Sequence, residues 1–74
     1  MNGRAAKHTV EIYLNGQPLA TEARSVAELV DGQSLLGKKV ATALNGHFVP
    51  EAQRATTELH PGDRIEIVSP RQGG

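Results

Sequence analysis

The chain has no cysteine and no tryptophan, and its aromatics are one tyrosine, Tyr13, and one phenylalanine, Phe48. Without cysteine there is no disulfide to staple a small fold, and no thiolate zinc site. A reducing compartment suits such a chain. Two aromatics are too few for a base-stacking surface. Excess charge is missing as well. Eight basic residues balance eight acidic ones, which disfavours non-specific binding to nucleic acid or to an anionic membrane. No apolar run is long enough to span a bilayer. The opening stretch "MNGRAAKH" lacks the apolar segment of a signal peptide. It reads as a polar, poorly ordered lead-in covering residues 1–8. The expected location is the cytoplasm.

Length excludes more. Seventy-four residues make one domain near the lower limit for independent folding. One small core leaves little room for a ligand pocket of about 300–1,000 Å3. A stand-alone enzyme is therefore not the expectation.

What is present is strongly patterned. In "TVEIYL", Val10, Ile12 and Leu14 alternate with Thr9, Glu11 and Tyr13, the period of a half-buried strand. Asn15-Gly16 predicts a tight hairpin turn. A return strand is expected near residues 17–21, with Pro18 near its start or on an edge. In "RSVAELV", Ser25 and Glu28 have the spacing of a capping box. Val26, Leu29 and Val30 then form one helical stripe. Asp31-Gly32 weakens that helix. "SLLGKK" reads as a loose turn, with Leu35 or Leu36 packing on the core.

Val40, Thr42 and Leu44 begin a second alternation, and Asn45-Gly46 predicts a second hairpin, whose return strand "HFV" is closed by Pro50. Residues 51–59 are ambiguous: one turn near 51–54, then a short edge strand near 57–59. "HPGD" is a turn, and "RIEIVS" is the last strand. Strands on either side of one helix predict an α+β domain over residues 9–69, a mixed sheet with the helix on one face. The last strand is expected beside the first, in parallel.

Residues 70–74 then read as a flexible tail. Pro70 cannot donate to a ladder. With six residues from Ser69 to Gly74, an extended arm reaches roughly 20 Å, enough to enter another protein's active site. Glycine has no Cβ and passes a narrow channel. A terminal carboxyl group, with a pKa of about 3.3–3.7, is ionised near neutral pH. It can attack the α-phosphorus of ATP, and the resulting acyl-adenylate is open to a sulfur nucleophile. A terminal glycine pair arises by chance in about 0.5% of chains, from a glycine frequency of about 7%. The ordered body and the pair together carry the reading.

"YLNGQP" (13–18), "SVAELV" (25–30), "GKKVATALNGHFVP" (37–50), "GDRIEIVSP" (62–70) and the final "QGG" stand in one order. In that ordered set the chain resembles the ThiS/MoaD sulfur carriers of the ubiquitin-like β-grasp fold, most of all the thiamine-pathway branch. The resemblance implies a carrier and not a catalyst, with no cofactor bound. The carboxylate of Gly74 would be adenylated by an E1-like, ThiF-type enzyme using ATP and Mg2+. Sulfur, ultimately from cysteine through a desulfurase, would convert it to a thiocarboxylate. A ThiG-type thiazole synthase would then take the sulfur. Gly73, Gln72 and Arg71 would be the residues the partner reads. Two related readings stand beside this one: a MoaD-like small subunit of molybdopterin synthase, and a ubiquitin-like protein modifier. A binding module with an inert tail is a further alternative. The sequence departs from the resemblance in its longer N-terminus and in Asp31-Gly32, where relatives continue the helix.

Other side chains have plainer readings. His8, His47 and His60 lack the spacing of a helical metal pair and read as surface histidines. Lys38-Lys39 reads as a solvated spot. Ser25 is a helix cap with no following histidine to act as its base. Arg71 is equally a gripping charge or a solubilising one. Phe48 and Val68 offer either an apolar patch beside the tail root or core; for the single phenylalanine, core is the expectation.

Overall fold

A computed structural model of the chain describes residues 8–33 and 39–69. The lead-in through residue 7, Leu35, Leu36, Lys38 and the tail from Pro70 to Gly74 lie outside the described residues.

Five strands form one sheet. β1 is Val10–Leu14, β2 Gln17–Thr21, β3 Ala41–Leu44, β4 His47–Val49 and β5 Arg64–Val68. The helix α1 is Val26–Asp31, and a 3-10 helix spans Glu51–Thr56. The strand order is β2-β1-β5-β3-β4. The two hairpins flank the last strand, which is parallel to β1 and antiparallel to β3. This is the expected mixed sheet, with β5 at its centre.

Both hairpins turn where the sequence says. Asn15 and Asn45 have φ of 51° and 52°, and Gly16 and Gly46 have φ of 85° and 86°. Positive φ at both central positions is the type I′ turn, whose twist matches that of paired strands. In the first hairpin Leu14 pairs with Gln17 and Tyr13 with Pro18. A two-residue turn makes the first of these the hydrogen-bonded pair, so the donor that proline lacks faces the open edge.

The helix starts as a capped end. Ser25 has extended backbone, and its Oγ accepts from the Glu28 N–H at 3.2 Å. The Glu28 carboxylate accepts from the Arg24 N–H at 2.8 Å, one residue before the cap. The helix ends at Asp31, and Gly32 closes it with its N–H bonded to the Glu28 carbonyl at 3.1 Å.

Val26 and Leu29 of α1 meet Val10, Ile12, Leu59 and Ile65 in one buried cluster. The helix therefore covers one face of the sheet, over its central strands. Ile12 and Ile65 are about as buried as side chains can be, at 1% and 0% exposure. Each fully buried aliphatic side chain contributes about 1.5–3 kcal/mol.

The segment before β5 differs from the expectation. The turn near residue 51 runs on as a 3-10 helix to Thr56. Its end is tied by the hydroxyls of Thr56 and Thr57, which donate to the Gln53 carbonyl at 3.2 and 2.7 Å. The edge strand expected near 57–59 shrinks to one bridge, Ser25 with Glu58. Only Arg24 to Val26 are available to pair there, since the helix begins at once: Val26 N–H donates to Thr57 O and Leu59 N–H to Arg24 O, both at 3.0 Å.

Candidate functional site

The candidate site has two parts, the end of β5 and the sheet face that α1 leaves open. Alternation along β5 buries Ile65 and turns Arg64, Glu66 and Val68 outward. Register carries this face across the sheet. Val68 lies opposite Ala41, and Glu66 opposite Ala43. Ala43 in turn lies opposite Phe48 of β4. On the other side Tyr13 pairs with both Arg64 and Pro18.

Phe48 is therefore not core, contrary to the expectation; it is 68% exposed. The hairpin geometry is the reason. Thr42 faces the core, so its partner Val49 does too, and Phe48 with Ala43 takes the opposite face. The signal was available in the sequence. A two-residue turn at Asn45-Gly46 dictates this pairing, and directly opposed residues share a face. Val68 is 56% exposed on the same face. On β3 between it and Phe48 lie the small Ala41 and Ala43, with the outward Glu66 bordering Ala43. The result is an apolar patch at the end of the sheet where β5 finishes.

The end of β5 is held from both sides. Residues Leu44 to Ala41 of β3 pair with Ile65 to Val68. On the β1 side, Asn15 N–H donates to the Ile65 carbonyl at 2.9 Å. The Asn15 side chain then bonds Ile67 twice: Oδ1 accepts from its N–H at 2.9 Å, and Nδ2 donates to its carbonyl at 3.2 Å. The other turn grips the start of β5 through one strand N–H and one neighbouring side chain. Asn45 Oδ1 accepts from the Arg64 N–H at 2.9 Å, and its Nδ2 donates to Asp63 Oδ1 at 3.0 Å. These long-range contacts were not legible in the sequence, where both asparagines read only as turn formers.

Gly74, Gly73, Gln72 and Arg71 lie outside the described residues, and the structure describes their root at Val68 and Ser69. The three histidines are exposed. His60 lies 3.6 Å from Glu58 and 3.8 Å from Asp63, in the "HPGD" turn; His47 follows the second hairpin turn, and His8 precedes β1. Among the described residues no group of three histidine, aspartate or glutamate side chains has the arrangement of a metal site. Ser25 serves as the helix cap described above. Lys39 is exposed.

A sequence model of the ThiS family matches residues 9–74. The chain belongs to the ThiS family. The match spans all five strands and both helices and continues through the glycine pair. The fold agrees: the sheet is superposable on the crystal structure of a thiamine biosynthesis protein (ThiS) from Geobacter metallireducens. The TM-score is 0.73 at 26% identity, over 88% of this chain and all of the other. The architecture is thus the ubiquitin-like β-grasp of the family. A search of curated proteins finds no match. No helix among the described residues is long and apolar enough to cross a membrane.

Proposed function

We propose that this protein is a sulfur carrier of thiamine biosynthesis whose reactive group is the carboxylate of Gly74. A carboxylate oxygen attacks the α-phosphorus of ATP and expels pyrophosphate, with Mg2+ balancing phosphate charge on a ThiF-type enzyme. A sulfur nucleophile then displaces AMP from the acyl carbon. Where that nucleophile is the outer sulfur of a persulfide, formed ultimately from cysteine by a desulfurase, the product is an acyl disulfide. A further thiol then attacks the donor sulfur, forms a disulfide with it and leaves the thiocarboxylate on Gly74. A ThiG-type thiazole synthase accepts that sulfur. The carrier is a co-substrate in each step and its partners supply the catalysis. Its setting is the cytoplasm, where ATP and these enzymes meet.

The observation that carries this reading is the family match, which extends to Gly74. The described body supports it in two ways. The last strand lies at the centre of the sheet, so force or strain on the segment beyond it meets the most secured strand. The apolar patch of Phe48, Val68, Ala41 and Ala43 adjoins the point where the chain leaves the sheet. A partner docked on that patch would have Arg71, Gln72 and Gly73 within reach for recognition. The ThiS match and the ThiS neighbour favour the thiamine branch; the molybdopterin and modifier readings have no observation of their own.

The test is the intact mass of the carrier after incubation with an adenylating enzyme, ATP and a sulfur donor. The expected result is replacement of one oxygen by sulfur, placed on Gly74 by fragmentation. Deleting Gly74 abolishes the gain. Loading that survives the deletion would sink the terminal-carboxylate mechanism.

A further inference from the structure

We propose that Asn15 is a positioning residue: its side-chain carboxamide acts as the last rung of the β1–β5 ladder and fixes Ile67 as the point where the chain leaves the sheet on that side. The kinetic part of this inference rests on the carrier reading above; the structural part does not.

The geometry points to this role through its register. Tyr13 N–H donates to the Asp63 carbonyl at 2.9 Å, and Asn15 N–H donates to the Ile65 carbonyl at 2.9 Å. A regular parallel ladder advances two residues per step. Its next rungs would join the Ile67 N–H to the main-chain carbonyl of residue 15, and the Ile67 carbonyl to the N–H of residue 17. Those main-chain groups are not available. Asn15 turns into the hairpin with φ of 51°, and Gln17 starts β2, which pairs with β1 itself. The carboxamide of Asn15 stands in for both. Its Oδ1 takes the Ile67 N–H and its Nδ2 meets the Ile67 carbonyl. A primary amide has the acceptor and donor of a peptide group, so one side chain adds one more step to the ladder after the strand has turned away.

The consequence is functional because of where that step falls. Without it the β1 side of the ladder ends at Ile65, and the last three residues of β5 are held by β3 alone. In the carrier reading the acyl carbon of Gly74 must reach a partner's phosphate, and a reactive group gains rate from a fixed geometry at its root. Phe48 sits on the β3–β4 hairpin away from Asn15, and Val68 keeps its β3 partner Ala41 when the Asn15 carboxamide is lost. Loosening the root therefore lowers turnover in the docked complex and leaves docking unchanged.

Asn45 supplies the control. It occupies the same position in the twin turn, with φ of 52°. At the opposite end of β5 its Oδ1 also accepts from a strand N–H, that of Arg64, while its Nδ2 donates to the Asp63 side chain instead of a strand carbonyl. Asn15→Gly and Asn45→Gly both keep a residue that tolerates positive φ. Each removes one carboxamide.

The experiment measures amide hydrogen exchange by NMR in the whole carrier, and loading kinetics with a ThiF-type enzyme. In Asn15→Gly the Ile67 amide is expected to exchange about tenfold faster than in Asn45→Gly, as local opening of a strand end predicts. Asn15→Asp keeps the acceptor for the Ile67 N–H and falls between the two. The kcat for loading is expected to drop about threefold or more in Asn15→Gly, with KM unchanged. Equal Ile67 exchange in the two glycine variants would overturn the inference. So would faster exchange with kcat intact, which would leave Asn15 a purely structural clamp. If even the wild-type carrier is not loaded, the carrier reading fails, and the exchange arm still decides whether Asn15 anchors the strand end.

Discussion

At the scale of single residues, the buried polar groups explain how the second hairpin is locked. Thr42 is 1% exposed and must satisfy its hydroxyl internally. It donates to the Val49 carbonyl at 2.8 Å and accepts from Arg54 Nε at 3.1 Å. Arg54 also donates through Nη2 to the Val40 carbonyl at 2.7 Å. One guanidinium thus ties the 3-10 helix to β3. Thr42→Val is nearly isosteric but leaves both the Val49 carbonyl and Arg54 Nε short of a partner. Urea denaturation is expected to show a loss of about 1–3 kcal/mol. The alternation of "VATAL" groups Thr42 with Val40 and Leu44 on one face, apart from Ala41 and Ala43. Arg54 had no such signal, because its partners lie twelve and fourteen residues away.

At the scale of elements, local chemistry set the boundaries. The Ser25 cap, the two Asn-Gly turns and the Pro-Gly turn before β5 stand where the sequence placed them, since each depends on its own few residues. Gly32 is the weak end of the helix. Its φ of −73° is open to any residue. A Cβ there would meet the Leu29 and Glu28 carbonyl oxygens at 3.6 and 3.7 Å, ordinary contact distances. Gly32→Ala is therefore expected to stabilise the protein by about 0.4–1 kcal/mol, mainly by narrowing the unfolded ensemble. Thermal melting followed by circular dichroism checks this, and a lower midpoint would contradict it. The stretch 51–59 resisted local reading because its shape depends on the helix start that it meets.

At the scale of the whole molecule, the sheet has, among the described residues, one face closed by α1 and one left open. The open face gathers Phe48 and Val68 from strands far apart in sequence. Phe48→Asp removes apolar surface from that face without touching the core. Stability is expected to change by no more than about 0.5 kcal/mol. Sulfur loading in the proposed reaction should show KM raised about tenfold or more, as for the loss of a central interface aromatic. An unchanged KM would remove Phe48 from the docking surface. A large loss of stability would mean that it packs inward after all.

The sequence by itself determined the strands, the capped helix, both hairpins and the α+β class. Those features follow from periodicity and turn chemistry, which act over a few residues. It also held the orientation of Phe48, through the register of a two-residue turn, although the scarcity of aromatics pointed the other way. Only the tertiary structure decided what joins residues fifty positions apart. The Asn15 carboxamide finds Ile67 because β5 inserts between the two hairpins, and Arg54 finds Thr42 because the 3-10 helix, packed against α1, directs its guanidinium to β3. Contacts of that kind depend on how elements are arranged in space, and no spacing along the chain encodes them.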